Sequence, residues 1–278
     1  MTAAVAPDTK IDLRAVSLVC VETRRTGLAV QAMQRCLGQA DFGQCLLLSP
    51  HAPALPAGID HVRIPDIASV AQYSAFMVKQ LGAYFSADHA LVVQWDGFIT
   101  DASRWDPNFL DYDYIGAPWP DQPMAVGNGG FSLRSRRLVE ALQKIDTPQT
   151  HPEDHVICGR YRPELESRFG IRFAPLDVAR RFSWEAVEPA QPTFGLHGFF
   201  NFHRALGENE LIAYLADCDD AIVHSIAGRR LLKNLYRASM HAAAAKLLAR
   251  RMAGPLSMQL DAVKLRSFAA LRAMVRPR

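Results

Sequence analysis

The first hundred residues alternate short apolar segments with segments of helical period, and this alternation constrains the fold more than any other feature. The apolar segments of strand length are residues 15–21, 44–49, 61–64 and 90–94, and the helical segments are residues 28–37 and 67–85. Such alternation predicts an α/β fold with a mixed, mainly parallel sheet flanked by helices. In sheets of this kind, ligands bind beyond the carboxyl ends of the strands.

One of these strands ends on a single carboxylate. The apolar residues 90–93 lead through Gln94 and Trp95 to Asp96. A carboxylate at a strand end can hold Mg²⁺ or Mn²⁺, because hard cations bind carboxylate oxygens. It can equally cap the turn that follows, and this segment alone does not decide between the two.

Size and composition set the class of protein. The 278 residues are 49% hydrophobic, which is enough for a large core. We find no apolar run long enough to span a bilayer and no secretory signal, so a cytoplasmic location is expected. The five cysteines are scattered without a CxxC pair, which predicts buried thiols rather than a zinc site or disulfides.

The rest of the chain divides into three parts. Residues 104–131 are rich in aromatic residues, proline and glycine, and predict an ordered irregular surface near a ligand. Residues 135–144 and 153–169 predict helices, and short strands are expected at 171–174 and 194–197. From residue 208 the pattern is helical. We therefore expect a flexible segment over 1–14, an α/β domain over 15–205 and a helical appendage over 206–278.

Three further clusters carry chemically useful residues. The glycines within residues 127–136 allow a close backbone approach to a ligand, although a simple glycine turn explains them as well. Glu153 and Asp154 open a helix, where they either complement its dipole or supply a general base. His197 lies between glycines and is an accessible imidazole, but a lone histidine is more often structural.

The order of these clusters resembles that of nucleotide-sugar-dependent glycosyltransferases with the GT-A fold. The chain is more closely similar to uncharacterised proteins, assigned to glycosyl transfer, that share its motifs. The matching motifs cover roughly residues 15–200 and are QWDGF (94–98), YIGAPW (114–119), NGGFSLRSR (128–136) and the acidic pair at 153–154. The resemblance implies a GT-A-like domain and a donor that is a nucleotide sugar, taken here as UDP-linked.

The resemblance also implies a metal site. GT-A enzymes bind Mn²⁺ or Mg²⁺ through an Asp-x-Asp at a strand end, and the matching triplet is Gln94, Trp95 and Asp96. Only the last acid is present, so Asp96 is the direct ligand, while Gln94, a poorer ligand, is expected to contact the ribose or a metal-bound water, and Trp95 to lie with them in the donor site. His197 matches the histidine that commonly completes the site.

Donor and acceptor residues follow from the same resemblance. Asn128, Gly129 and Gly130 match the strand that lines the donor sugar. Asp154, with Glu153 beside it, matches the catalytic base of inverting enzymes.

The end of the first strand and one tryptophan complete the expected site. Val21, Thr23 and Arg24 match the region under the nucleotide base. Trp119 can stack on an acceptor sugar, since an aromatic face suits a pyranose, although a core position explains it equally well.

The C-terminal part of the chain is strongly basic. Residues 229–278 hold 12 of the 31 Lys and Arg but 1 of the 28 acids, so the preceding residues carry 19 bases and 27 acids. Pro255 is expected to divide the segment into two helices. Basic amphipathic helices bind anionic membranes, which would suit a lipid-linked or glycan acceptor. Packing on the domain or in a homodimer is the alternative, and nucleic acid binding is not expected because the body is acidic.

Taken together, the sequence predicts an inverting, metal-assisted glycosyltransferase that acts on a glycan or another hydroxyl acceptor. Two alternatives stay open. One is a non-catalytic protein that binds sugars or nucleotides on the same scaffold, in which Gln94 marks a decayed metal site. The other is a sugar nucleotidyltransferase, which normally has a glycine-rich basic loop after the first strand; residues 23–28 contain a single glycine.

Overall fold

A computed structural model describes residues 10–120 and 126–275, with side chains to residue 267. These residues form two compact units that divide between His197 and Gly198. The division lies eight residues before the boundary that the sequence predicts. The first strand starts at Ile11 and buries Leu13 against the core, so residues 11–14 belong to the first unit and not to a flexible segment.

The described residues of the first unit form nine strands. In chain order they are β1 (Ile11–Val21), β2 (Ala40–Ser49), β3 (Asp60–Arg63), β4 (His89–Val93), β5 (Gly97–Ile99), β6 (Tyr114–Pro118), β7 (Val126–Ser135), β8 (Ser183–Trp184) and β9 (Gly195–His197). Six of them form a sheet in the order β3-β2-β1-β4-β7-β6. The first four are parallel, whereas β7 runs antiparallel to β4 and to β6. The predicted mixed, mainly parallel sheet is confirmed.

In the part of this unit that the structure describes, the sheets are flanked by α1 (Thr26–Gln39), α2 (Val70–Lys79), α3 (Arg136–Lys144), α4 (Glu153–His155), α5 (Arg162–Phe169) and α6 (Leu176–Phe182). Ser135 caps α3 by accepting a hydrogen bond from the backbone N–H of Leu138 at 3.0 Å. The single helix predicted over 153–169 is wrong. A π-helical turn follows α4, and α5 starts anew where Pro163, which lacks an N–H, fits only a first turn.

The segment over 104–131 is more regular than its composition suggests. It contributes β6 and the first half of β7, although residues 121–125 lie outside the described part. The strand expected at 194–197 is confirmed as β9, whereas 171–174 makes only an isolated bridge between Phe173 and Tyr114. All five cysteines are free and buried, as predicted.

Two apolar layers hold the large sheet. On one face, α2 packs Phe76 and Met77 against Val19, Val92 and their neighbours. A second cluster joins α3, α5 and β6. The small sheet β5-β9-β8 is anchored by an aromatic cluster made by Trp105, Phe109, Phe131, Phe182 and Phe194.

The second unit is helical. It contains α7 (Glu208–Asp217), α8 (Asp220–His224), α9 (Ile226–Arg237), α10 (His241–Met252) and α11 (Leu256–Val275), and Pro255 separates the last two. Arg250 donates to the carbonyl oxygens of Leu215 and Cys218 near the end of α7, and Arg251 donates to that of Val223 in α8. Part of the basic charge is therefore structural. In the described residues, none of the helices has the length and apolar character needed to span a bilayer.

Candidate functional site

The small sheet gathers a cluster of polar side chains at one edge. Asp96 immediately precedes β5, whose Gly97 pairs with His197 of β9. On the other side of β9, Trp184 of β8 pairs with Leu196, so Glu185 follows as the neighbour of His197. The three side chains are 13%, 12% and 22% exposed for Asp96, His197 and Glu185. Strand register thus brings together groups that are about a hundred residues apart in sequence.

His197 lies at the centre of this cluster. Its Nε2 is 3.2 Å from Asp96 Oδ1 and 3.2 Å from Gln94 Oε1. Its Nδ1 faces Glu185 Oε1 at 3.4 Å. Burial of the ring lowers the pKa of His197, but the charges of Asp96 and Glu185 outweigh burial and raise it to about 10. At neutral pH the ring is therefore an imidazolium between two carboxylates.

Gly130 of β7 allows the histidine ring to lie directly against the backbone. A Cβ built on Gly130 would come within 2.1 Å of His197 Nε2, so any larger residue at this position would have to displace the ring. The carbonyl oxygen of Gly130 also accepts a hydrogen bond from the backbone N–H of Gln94 at 2.9 Å. The glycine predicted to line a donor sugar therefore makes room for a side chain of the protein.

Gln94 and Asn128 connect the cluster to its surroundings. Gln94 donates from Nε2 to the hydroxyl of Tyr73 at 3.1 Å. Asn128 donates from Nδ2 to Glu185 Oε2 and accepts the backbone N–H of Gly130 at 3.1 Å. Both amides are therefore held by hydrogen bonds on two sides.

Asp96 Oδ1 and Gln94 Oε1 both lie 3.2 Å from His197 Nε2, so these three atoms are the donors that a cation at this position would have. Adjacent ligands around an octahedral ion with bonds of about 2.1 Å lie about 3.0 Å apart, and the two distances of 3.2 Å from Nε2 are close to this value. The residues therefore fit a divalent cation once the ring has lost its Nε2 proton. Among the described residues, no group of three or more His, Cys, Asp or Glu side chains is placed to hold a metal.

The acidic pair at the start of α4 has two different environments. Glu153 is buried and forms an ion pair with the buried Arg134, with 2.6 Å between Oε1 and Nη2. A Cβ on Gly129 would lie 2.4 Å from that Oε1, so Gly129 makes room for the pair. Asp154 is half-buried, and burial followed by the charge of Glu153 raises the pKa of its carboxyl group above the ordinary value. Of the two acids, Asp154 has the properties of a general base.

Trp119 and Trp95 are both partly buried, and Trp119 packs against the cluster of α3, α5 and β6. The Trp119 ring stacks on His155, next to Asp154, with centroids 4.5 Å apart and an interplanar angle of 17°. Both rings are partly or fully accessible. Trp95 lies under the guanidinium of Arg25, 5.7 Å from the ring centroid.

The residues at the end of β1 lie beside the cluster but are already engaged. Cys20 pairs with Val93 of β4, so Val21, which is buried, lies alongside Gln94. The hydroxyl of Thr23 donates to the carbonyl of Ile67 at 3.0 Å, and Arg24 donates to that of Ala68 at 2.8 Å. These two side chains fasten the segment that leads into α2, which leaves the backbone as the part available to a nucleotide.

Sequence reasoning missed Glu185, Tyr73 and Arg134. Glu185 lies in a segment without a recognisable motif, and only the pairing of β8 with β9 shows its place. Tyr73 reads as one residue of an amphipathic helix. Arg134 had a usable signal, since it is a charged residue in the middle of a strand whose ten residues are all buried.

Comparison with known proteins finds one matching sequence family and several solved structures with low structural similarity. Residues 59–197, half of the chain, match the family described as "Protein of unknown function (DUF5672)". No curated protein sequence matches the chain.

Several solved glycosyltransferases are similar in structure. The galactosyltransferase LgtC, solved with donor and acceptor sugar analogs, is 11% identical over 65% of this chain and 86% of its own, with a TM-score of 0.40. The mannosyltransferase PcManGT from Pyrobaculum calidifontis, solved with GDP-Man and Mn²⁺, is 14% identical over 99% and 84%, with a TM-score of 0.37. Residues 1–349 of TarS from S. aureus are 8% identical over 95% and 93%, with a TM-score of 0.41. At these scores the likenesses fix neither the reaction nor the substrate of this chain.

Proposed function

We propose that this chain, which belongs to the DUF5672 family, is a glycosyltransferase that moves a sugar from a nucleotide-sugar donor, taken as UDP-linked, to a hydroxyl of a glycan or lipid-linked acceptor. The observation that carries the proposal is the convergence of Asp96, Gln94 and His197 at the carboxyl end of β4. Open α/β sheets bind their ligands at this edge. The arrangement agrees with the GT-A resemblance of the sequence, which implies a metal and a donor diphosphate at this edge.

Asp96, Gln94 and His197 are the residues that would hold Mn²⁺ or Mg²⁺. The bound ion supplies charge neutralisation for the diphosphate leaving group. The protein supplies two fixed oxygen donors and one imidazole nitrogen, which must give up its proton before it can coordinate. Gln94 is neutral, but amide oxygens are acceptable ligands for hard cations.

Asp154 is the proposed base that removes the proton of the acceptor hydroxyl. Its raised pKa improves the match to a proton acceptor near neutral pH, and it is the less buried member of the acidic pair. Glu153, predicted as its catalytic partner, is engaged by Arg134, so we give Glu153 a positioning role instead. A base on the acceptor side of the donor implies inversion at the anomeric carbon by a single displacement.

Trp119 is the proposed acceptor platform. Its ring is held against His155, which lies next to Asp154 in α4, so a sugar stacked nearby would lie close to the proposed base. Apolar sugar faces pack on aromatic rings in this way.

The binding step can be tested by calorimetric titration with a panel of nucleotides and nucleotide sugars, with and without Mn²⁺. We expect at least one to bind in a Mn²⁺-dependent way, and Asp96→Ala to abolish that dependence. Asp111→Ala is a matched control on an exposed aspartate of the same unit. If no member of the panel binds, the proposal is wrong.

The catalytic step is tested by Asp154→Asn. The variant should lose at least 10²-fold in transfer rate, the lower end of what a general base contributes, while it keeps donor affinity. Asp146→Asn changes an exposed aspartate a few residues away and should leave transfer unchanged. Donor binding without any turnover in the wild type would instead favour the non-catalytic binding protein.

The helical unit is proposed to bind anionic membrane surfaces from the cytoplasmic side. Leu256, Leu260 and Val263 are 70%, 55% and 48% exposed and recur at i, i+4 and i+7, so they form an apolar stripe on α11. The only acid in residues 221–267 is Asp261, and Arg229 and Arg251 already pair with it. An apolar stripe in a basic setting suits an anionic lipid surface better than a basic or neutral partner.

Sedimentation with vesicles that contain phosphatidylglycerol tests this part of the proposal. The full chain should co-sediment at low salt, and a variant with serine at all three stripe positions should not. Val70→Ser, on an equally exposed apolar residue of α2, is the control. If the full chain stays in the supernatant, the membrane surface is not its partner, and concentration-dependent dimerisation lost in the triple variant would assign the stripe to a homodimer.

A further inference from the structure

Glu185 is the one carboxylate of the cluster for which the sequence shows no role. It follows β8 directly, and the parallel pairing of Trp184 with Leu196 brings it level with His197 on the neighbouring strand. Its side chain is 22% exposed, and its two oxygens face two different partners. A carboxylate placed by strand register, with one oxygen bonded to Asn128 and the other facing His197 as an ion pair, has a defined orientation.

We propose that Glu185 is a positioning residue that orients His197 for cation binding. Glu185 Oε1 lies 3.4 Å from His197 Nδ1, on the side of the ring away from Asp96. A histidine that donates Nδ1–H to a carboxylate has its Nε2 lone pair left for a metal, and such outer partners fix both the tautomer and the ring orientation. The inference rests on the proposed metal site.

Glu185 does not coordinate the ion itself. The two nitrogens of an imidazole point to opposite sides of the ring, so an ion at Nε2 lies beyond the reach of the carboxylate at Nδ1. Asp96 and Gln94 are on the Nε2 side, at 3.2 Å each. The proposed ligands therefore lie on the Nε2 side of the ring, and Glu185, which orients His197, lies on the Nδ1 side.

Asn128 ties this carboxylate to the large sheet. It donates from Nδ2 to Glu185 Oε2 and accepts the backbone N–H of Gly130, the residue against which the His197 ring lies. Glu185, Asn128, Gly130 and His197 thus form a closed set of contacts between β7, β8 and β9. Asn128, the first residue of the NGGFSLRSR motif, therefore fixes the position of Glu185 relative to the backbone of Gly130.

Charge supports the same assignment. Counted over Asp96, Glu185 and His197 alone, two carboxylates face one imidazole. A divalent cation that displaces the Nε2 proton leaves these three groups and the ion neutral in sum. Without Glu185 the same set would carry an excess positive charge, which disfavours cation binding in a site where each side chain is less than a quarter exposed.

The test is calorimetric titration of the full chain with Mn²⁺ in the presence of UDP. Glu185→Ala should weaken Mn²⁺ binding by about 10- to 100-fold, as outer partners of metal ligands do. Glu185→Gln keeps an acceptor for Nδ1–H and should lose less than the alanine variant. Glu140→Ala, on an exposed glutamate of α3, should bind as the wild type does.

A double-variant cycle separates positioning from a general structural effect. If Glu185 acts mainly through His197, then adding Glu185→Ala to His197→Ala should weaken Mn²⁺ binding by much less than it does in the wild-type background, because only the effect of the Glu185 charge on the ion remains. An equal loss in both backgrounds, or wild-type affinity for Glu185→Ala, overturns the inference while the metal site stands. If the wild type itself binds no Mn²⁺ with UDP, the metal site fails and this inference fails with it.

Discussion

Replacing Gly130 with alanine should remove His197 from the metal site without unfolding the domain. The new Cβ would lie 2.1 Å from His197 Nε2 and 2.4 Å from two ring carbons. Non-bonded heavy atoms rest about 3.5 Å apart, so the ring must retreat by about 1.4 Å. A metal site tolerates deviations of about 0.2 Å in its bonds, so the retreated nitrogen no longer coordinates.

The effect of Gly130→Ala should be confined to the site around His197. The φ angle of Gly130 lies outside the left-handed region, so alanine adds no backbone strain at this position. Overpacking typically costs about 1–3 kcal/mol, which lowers the melting temperature but leaves a domain of this size folded. Gly38→Ala is the matched control, because no atom lies within 4 Å of its Cβ position.

Calorimetry with Mn²⁺ and UDP measures the effect. Gly130→Ala should bind Mn²⁺ as weakly as His197→Ala, and combining the two changes should cost nothing more. Gly38→Ala should match the wild type. A Gly130→Ala variant with wild-type Mn²⁺ affinity would refute the reasoning, because it would show that the ring position does not matter for the ion.

Three further predictions concern charge. Asp96→Asn should lower the pKa of His197 from about 10 towards its ordinary value of about 6.5, as measured by NMR titration of the ring. Because that pKa is raised on folding, the stabilisation by His197 is complete below about pH 6.5 and is lost as the pH rises towards 10. The melting temperature of the wild type should therefore decrease over this pH range more steeply than that of Asp96→Asn. Arg134→Met leaves Glu153 buried without its partner and should cost about 3–5 kcal/mol in urea unfolding, whereas adding Glu153→Gln should restore part of the loss. Asp154→Asn should raise the melting temperature near neutral pH, since a carboxylate with a raised pKa destabilises the fold once the pH exceeds that pKa and the amide does not ionise; an unchanged or lower value would argue against a desolvated base.

Local patterns predicted the sheet and the position of Asp96, because strand-length apolar segments and their ends are visible in sequence. The same patterns could not show that Asp96 faces His197, which depends on the antiparallel pairing of β5 with β9. They also could not reveal Glu185, whose place is set by the two-residue strand β8.

The acidic pair shows another limit of local reasoning. Glu153 and Asp154 are adjacent and look equivalent, but the burial of Arg134 next to one of them separates their roles. Likewise, the helix predicted across both acids ends early because Pro163 starts a new one. Tertiary contacts decide such cases, and a pattern of apolar spacing contains no information about them.

The basic segment is helical, as its pattern predicts, but composition cannot show which of its charges stabilise the unit and which face the solvent. Arg250 and Arg251 bind carbonyl oxygens at the ends of other helices in the same unit. The exposed apolar stripe on α11 became visible only once buried and exposed faces were separated.

The release of nucleoside diphosphate from nucleotide sugars tests the central claim most directly. Wild-type protein, incubated with a panel of donors and with Mn²⁺, should release the diphosphate from at least one of them, with sugar passing to water or to an added acceptor. Omission of Mn²⁺ or the change Asp96→Asn should abolish the release. Turnover that continues unchanged without the metal and without the Asp96 carboxylate would contradict the account.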